Sequence, residues 1–272
     1  MLKLNRIKQQ ANYVWRVGAT GFSFASFGLG GVAIGGLVAP LVKLSSSDLD
    51  VRKQRTQKVI KHSFKGFTEM MVKLGIMTYT VEGLEKLKNS QQELVIANHP
   101  TLIDVVVLIG LMEQANCVVK QALWSNPFTK GPVQSAGYIL NAGSEQFIQD
   151  CVHKLQQDHA ASLLIFPEGT RVPYGTIGKF SRGGTALAVN AALPVLPIAH
   201  NAGKFWPKTG WAKKQGVITV IIGKPMHAEG SGPRAIAELN DRVQAWNEQM
   251  QREMGSLPPA PQAPVASDQV AV

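Results

Sequence analysis

The chain has 272 residues, 45% hydrophobic and 17% charged, with a net charge of +10 and two cysteines. The apolar content excludes a disordered chain, and the lack of a fixed period excludes collagen-like and repeat architectures. Cys117 and Cys151 form no C-x-x-C pair, which excludes a disulfide scaffold and a zinc ribbon.

Residues 1–65 carry eleven Lys/Arg against two Asp, and the remainder carry seventeen Lys/Arg against sixteen Asp/Glu. The front is therefore basic and the body nearly neutral. These basic residues flank an apolar run instead of alternating with aromatics over a folded face, which points to an anionic membrane surface and away from nucleic acid. Residues 17–42 contain no charge, and Tyr13 and Trp15 precede them as interfacial aromatics do. The run is too long for a signal peptide and lacks an A-x-A-like cleavage site. Its length allows a single span, or a re-entrant hairpin turning at Gly30-Gly31; basic residues on both flanks favour the hairpin. Residues 1–44 are thus read as a membrane anchor. Within residues 45–80 a basic amphipathic helix is expected over 51–75. Ile60, Phe64, Phe67, Met71 and Leu74 form its apolar stripe, which suits docking on the domain, immersion in lipid headgroups, or both.

After Gly83, short apolar runs read as strands at 93–97, 116–120, 138–140, 162–166, 195–199 and 217–222. Helical patterns occupy 103–112, 144–157, 182–192 and 233–252. This alternation predicts an α/β sandwich with a largely buried central sheet flanked by helices, occupying 81–254. Residues 255–272 are Pro-rich, offer little to bury, and read as a disordered tail.

Two polar segments follow apolar strands, where sites in open α/β folds are found. In Asn98-His99-Pro100-Thr101-Leu102-Ile103-Asp104, a helix beginning near Pro100 brings Asp104 back to His99. The carboxylate would hold one imidazole proton and leave the other nitrogen as a base. The spacing alone is not decisive, because His153 and Asp158 repeat it inside a polar helical stretch; a His99 that merely satisfies backbone groups stays open. In Phe166-Pro167-Glu168-Gly169-Thr170-Arg171, Arg171 offers a donor fork suited to an anion. A structural turn with a Glu168–Arg171 ion pair is the other reading. There is no G-x-S-x-G, no G-x-x-x-x-G-K-[ST], no strand-borne G-x-G-x-x-G and no metal-ligand spacing, so a serine hydrolase, nucleotide binding and a metal site lack support.

NHPTLID resembles the N-H-x-[ST]-x-x-D block of the glycerolipid acyltransferases, and FPEGTR their F-P-E-G-T-R block; order and separation also match. VVKQALWSNP, GKFSRGGTALA and LPVLPI resemble further blocks, so the similarity runs over about 81–225. The resemblance implies the family's α/β acyltransferase domain behind a membrane-embedded helical segment. It implies transfer of a fatty acyl group from acyl-CoA or acyl carrier protein to a lysophospholipid hydroxyl, foremost 1-acyl-sn-glycerol-3-phosphate, giving phosphatidic acid. His99 would be the general base and Asp104 its orienting partner. Lys120 and Arg171 would hold the acceptor phosphate, and Glu168, Gly169 and Thr170 would shape that site. No covalent enzyme intermediate, cofactor or metal is implied. The expected location is the cytoplasmic face of a bacterial inner membrane. Where the family pattern runs close to G-x-I-F-I-D-R, this chain has Gly137-Tyr138-Ile139-Leu140-Asn141-Ala142-Gly143. The missing Asp-Arg pair opens the alternative of another lysolipid or specialised lipid acceptor. A catalytically silent, membrane-anchored lipid-binding module is the reading from another class.

Overall fold

The computed structural model describes residues 2–88, 92–141, 145–157, 162–176, 178–207 and 214–259. In chain order the elements are α1 (Leu2–Ala33), a π-helical turn (Ile34–Val38), α2 (Ala39–Leu44), α3 (Leu49–Lys73), β1 (Thr78–Glu82), α4 (Leu84–Lys88) and β2 (Leu94–Ala97). There follow α5 (Ile103–Leu111), β3 (Ala115–Val119), α6 (Gln121–Ser125), α7 (Lys130–Ser135), β4 (Ile139–Leu140), α8 (Glu145–Gln157) and β5 (Ser162–Ile165). The last are α9 (Gly183–Ala191), β6 (Val195–His200), α10 (Ala202–Phe205), β7 (Val217–Ile222) and α11 (Gly232–Glu253).

Among the described residues the strands form one sheet in the order β1-β7-β6-β2-β5-β3-β4. All neighbours are parallel except β6 and β7, so β6, β2, β5, β3 and β4 end at a common carboxyl edge. The central strands are buried on both faces. Val95, Ala97, Leu164 and Ile198 face a core with α3 and α5, whereas Leu94, Ile96, Leu163 and Ile165 face one with α8, α9 and α11. This two-sided burial is why they read as unbroken apolar runs. β1 is the strand that the sequence reading omits. It lies at the sheet edge, and its alternation of exposed and half-buried residues in TYTVE leaves no such run.

The front differs from its expectation. The chain does not turn at Gly30-Gly31: α1, the π turn and α2 are continuous, a rod of roughly 65 Å at 1.5 Å per residue. Asn5–Leu44 is long and apolar enough to cross a membrane by length and composition. The reversal comes instead at residues 45–48, where the Asp48 side chain accepts from the Asp50 and Val51 amides at 2.8 and 3.3 Å and starts α3. The returning α3 is antiparallel to the rod. Phe27 packs on Phe64 and Phe67, with ring centroids 5.8 and 5.5 Å apart, and Trp15 Nε1 donates to the Leu74 carbonyl at 3.0 Å. Arg16 Nη1 donates to the Gly75 carbonyl at 2.9 Å and ties the rod to the domain.

The apolar stripe of α3 docks on the domain, with Ile60 and Met71 buried. Gln57 Nε2 donates to Asn116 Oδ1 at 2.9 Å and to the Ala136 carbonyl at 3.0 Å. The π turn sits against α7 at backbone contact, where a Cβ on Gly131 would lie 2.4 Å from the Gly35 Cα; one turn earlier, on α1, a Cβ on Gly31 would lie 2.2 Å from the carbonyl oxygen of Phe128 in the loop before α7. Glycines that weaken an isolated helix are here what lets two backbones touch. The opposite side of the rod leaves Val14, Phe22, Leu29, Leu37 and Leu41 exposed. Most of the Pro-rich tail, from residue 260, lies outside the described residues.

Candidate active site

The carboxyl end of β2 delivers Asn98 and His99 to the sheet edge. The helix that follows begins at Ile103, so Pro100 lies in the loop before it and not in its first turn. Asp104 is in the first turn of α5 and is 3% exposed. Its Oδ2 accepts from the Thr101 amide at 2.8 Å and lies 3.1 Å from His99 Nδ1; its Oδ1 accepts the Thr101 hydroxyl. A carboxylate only accepts, so Nδ1 of a neutral His99 carries the proton and Nε2 is left with its lone pair. The His99 ring packs on Phe166 at 4.4 Å between centroids, and its side chain is 19% exposed. The pair is therefore held on one side and reachable on the other.

His99 opens onto a cavity of about 480 Å³ whose wall includes Lys120 at the end of β3, Asn141, Gly169, Ser181 and the first residues of α9, Gly183 and Gly184. The structure thus brings three of the sequence-predicted residues together: His99, Lys120 and Gly169. Beyond Val105, Cys117, Val119 and Leu123, which it shares with this cavity, lies an apolar one of about 230 Å³ between the domain and the helical rod. A third of about 130 Å³ shares Phe27, Phe64, Phe67 and Tyr138 with the second. The cavity at His99, largely apolar with a few polar groups, thus shares a wall with an apolar recess.

The FPEGTR loop divides its residues between two sides. The Gly169 amide donates to the Phe166 carbonyl at 3.1 Å, which closes a turn, and Gly169 takes a φ of +65°, open to glycine at little cost. Thr170 is exposed, Arg171 is half-buried, and neither belongs to the wall of the His99 cavity. The loop is nonetheless tied to the base, because the Val172 amide donates to the His99 carbonyl at 3.1 Å. Among the described residues no ion pair joins Glu168 to Arg171.

Glu168 lies behind His99. It lines a separate cavity of about 20 Å³ with Asn98, His200 and Ser256, and its Oε1 accepts from the His99 amide at 3.4 Å. His200, which the sequence reading missed, ends β6 as His99 follows β2; a histidine closing an apolar strand was the available signal. Its Nε2 donates to the Asn98 carbonyl at 2.8 Å, and its amide donates to Asn98 Oδ1 at 3.0 Å. Its Nδ1 stands 3.9 Å from Asp104. Burial pushes the His200 imidazole below its ordinary value, against the opposing effect of Asp104.

Burial pushes the Glu168 carboxyl up to about 7; the His99 amide works against this and the Asp104 charge adds to it. The folded chain then keeps a proton between about pH 4.5 and 7 that the unfolded chain has released, so stability falls as pH rises through that window. Glu168→Gln, uncharged throughout, is expected to gain up to about 3 kcal/mol over the parent at about pH 8 and nothing near pH 4.5. Thermal melts of both proteins at the two pH values check this; parallel shifts would contradict it.

Comparison with known proteins bears on this site. The family model described as Acyltransferase matches residues 78–201, which span both polar loops. The chain is 44% identical over 193 residues to a 1-acyl-sn-glycerol-3-phosphate acyltransferase of Pseudomonas aeruginosa, covering 66% of this chain and 71% of that one. It is 30% identical over 154 residues to a chloroplastic 1-acyl-sn-glycerol-3-phosphate acyltransferase of Arabidopsis thaliana, covering 54% and 43%. The crystal structure of the 1-acyl-sn-glycerophosphate acyltransferase of Thermotoga maritima superposes with a TM-score of 0.71 at 20% identity, over 91% of this chain and 98% of that one, and shares the fold. The Acyltransferase match centred on these loops, together with the extent of the Pseudomonas similarity, places the chain in the glycerolipid acyltransferase family.

Proposed function

We propose that this chain transfers a fatty acyl group from acyl-CoA or acyl carrier protein to the free hydroxyl of 1-acyl-sn-glycerol-3-phosphate, giving phosphatidic acid. The observation that carries the reading is the His99–Asp104 pair facing one cavity with Lys120. His99 Nε2 takes the proton of the acceptor hydroxyl as its oxygen attacks the thioester carbonyl. Asp104 holds Nδ1–H and stabilises the imidazolium that forms. The tetrahedral intermediate collapses, the C–S bond breaks, and the imidazolium returns the proton to the departing thiolate. One ester and one thiol result, with no covalent enzyme intermediate.

Lys120 supplies a point charge for the acceptor phosphate, and the first turn of α9, with Gly183 and Gly184 in the cavity wall, adds partial positive charge. Arg171 lies outside the wall of that cavity, so its role as a second anchor requires a phosphate that reaches past Gly169 to it, on the loop tied to His99 through the Val172 amide. Glu168 and Thr170 shape the loop, Glu168 from behind the base. The apolar recess suits the acyl chain. The exposed apolar side of residues 2–44 enters the membrane, with the basic surface of α3 against anionic headgroups on the cytoplasmic face of a bacterial inner membrane.

Purified protein given lysophosphatidate and an acyl thioester is expected to release one thiol per phosphatidic acid formed. Neither product appearing would reject the reading. Ala142-Gly143, which stand where the family pattern has an Asp-Arg pair, favour a second reading with the same chemistry on another lysolipid. Mass spectrometry of products from mixed acceptors separates the two.

A further inference from the structure

His200 is a buried histidine one strand away from the base, and the mechanism above gives it no task. β2 and β6 run parallel, and their last paired residues are Ala97 and Ile198. Beyond them side chains continue the ladder. The Asn98 side-chain amide donates to the His200 carbonyl at 2.9 Å, and its Oδ1 accepts from the His200 backbone amide at 3.0 Å. The His200 ring in turn takes the Asn98 carbonyl, with 2.8 Å from Nε2 to the oxygen.

That carbonyl belongs to the peptide joining Asn98 to His99. A peptide unit is planar and turns as one body. His200 holds its carbonyl end. Glu168 holds its amide end, because Oε1 accepts from the His99 amide at 3.4 Å. Rotation of this plane would swing the His99 side chain relative to α5, which carries Asp104. The two grips therefore fix the 3.1 Å approach of Nδ1 to Asp104.

The tautomer of His200 serves the same end. A carbonyl only accepts, so Nε2 carries the proton and Nδ1 has a lone pair. Nδ1 is buried, has no hydrogen-bond partner among the described residues and lies 3.9 Å from Asp104 Oδ1. Burial lowers the proton affinity of the ring. A neutral His200 offers Asp104 no second proton, and the carboxylate serves His99 alone. Leaving a buried nitrogen unpaired is costly, and a group kept at that cost calls for a reason.

We propose that His200 is a positioning residue for acyl transfer: through the Asn98 carbonyl it sets the direction of His99 toward Asp104 and the acceptor hydroxyl. This rests on His99 being the base, as proposed above. His200 is 2% exposed and does not belong to the wall of the His99 cavity. It acts on turnover, and substrate binding does not depend on it.

The test uses the full chain and three substitutions of His200, with lysophosphatidate as acceptor and hexadecanoyl-CoA as donor. Glutamine can place its amide nitrogen where Nε2 stands, so His200→Gln keeps the donor to Asn98. Asparagine reaches only where Nδ1 stands, so His200→Asn leaves that carbonyl unpaired. His200→Leu removes both nitrogens. His200→Gln is expected to stay near the parent in kcat. The other two are expected to lose between about tenfold and 100-fold in kcat, the scale of displacing a catalytic group by up to about 1 Å, with both KM values close to the parent's. Should His200→Leu fail to fold, glutamine against asparagine still decides. Equal kcat for those two, a loss in KM instead of kcat, or lowered melting temperatures with parental kcat overturns the inference while acyl transfer stands. A parent protein that transfers nothing overturns the acyl-transfer reading and the inference with it.

Discussion

Replacing His99 by alanine is expected to lower turnover by ~10²–10⁴-fold, the usual cost of removing a general base, with the fold intact. The Asp104 carboxylate keeps both bonds from Thr101, so the loop does not depend on the imidazole to satisfy its polar groups. Asp104→Asn keeps the shape but loses the charge that orients Nδ1–H and stabilises the imidazolium. It is expected to lower turnover strongly while leaving the KM for acceptor close to the parent's. His153→Ala is the control: the same spacing to an aspartate occurs there, yet His153 is exposed on α8, and its loss should leave turnover nearly unchanged. Steady-state assays on protein of equal melting temperature decide the point. A His99→Ala protein with parental turnover would remove the base from the mechanism and favour a silent lipid-binding module.

Gly131→Val is expected to destabilise the protein by about 3 kcal/mol, the upper end of overpacking costs. The new Cβ would lie 2.4 Å from the Gly35 Cα and 3.3 Å from its carbonyl carbon. Backbone cannot step aside as the end of a side chain can, so α7 and the rod must part. Thr129, Pro132 and Val133 line the apolar recess together with Gly31 and Ile34, so parting them opens the recess, and turnover falls with stability. Gly66→Ala on α3 is the counterpart. It meets nothing within 4 Å and is exposed, so helix propensity alone acts and a gain of about 0.5–1 kcal/mol is expected. Melting curves in detergent measure both; a Gly131→Val protein as stable as the parent would show that the seam between rod and domain is loose.

Much of this fold was legible because its signals are local. β2, β5 and β6 are buried on both faces, so each is an apolar run that ends where a polar loop begins. His99 and Asp104 are five residues apart, and the start of α5 alone brings them within 3.1 Å. Neither statement needs a distant partner. β1 escaped a reading keyed to apolar runs, because its signal is the alternation Thr78-Tyr79-Thr80-Val81-Glu82 of a half-buried edge strand. The reversal of the front segment was not legible. Gly30-Gly31 has the composition of a turn, yet the neighbouring Gly31 and Gly35 serve a helix packed against α7, and only the packed partner reveals that.

The sequence by itself therefore determined the α/β class, the strand ends that bear the polar loops, the His99–Asp104 proximity and the basic, apolar front. The tertiary structure alone decided that Lys120 shares a cavity with His99 while Glu168 lies behind it, that His200 stands against Asp104, and that Tyr138 lines an apolar recess. Periodicity and short spacings follow from backbone geometry within one element, and a single segment carries them. The direction of a side chain across a turn, and the neighbours it finds there, follow from which distant segments close around it, and no single segment carries that.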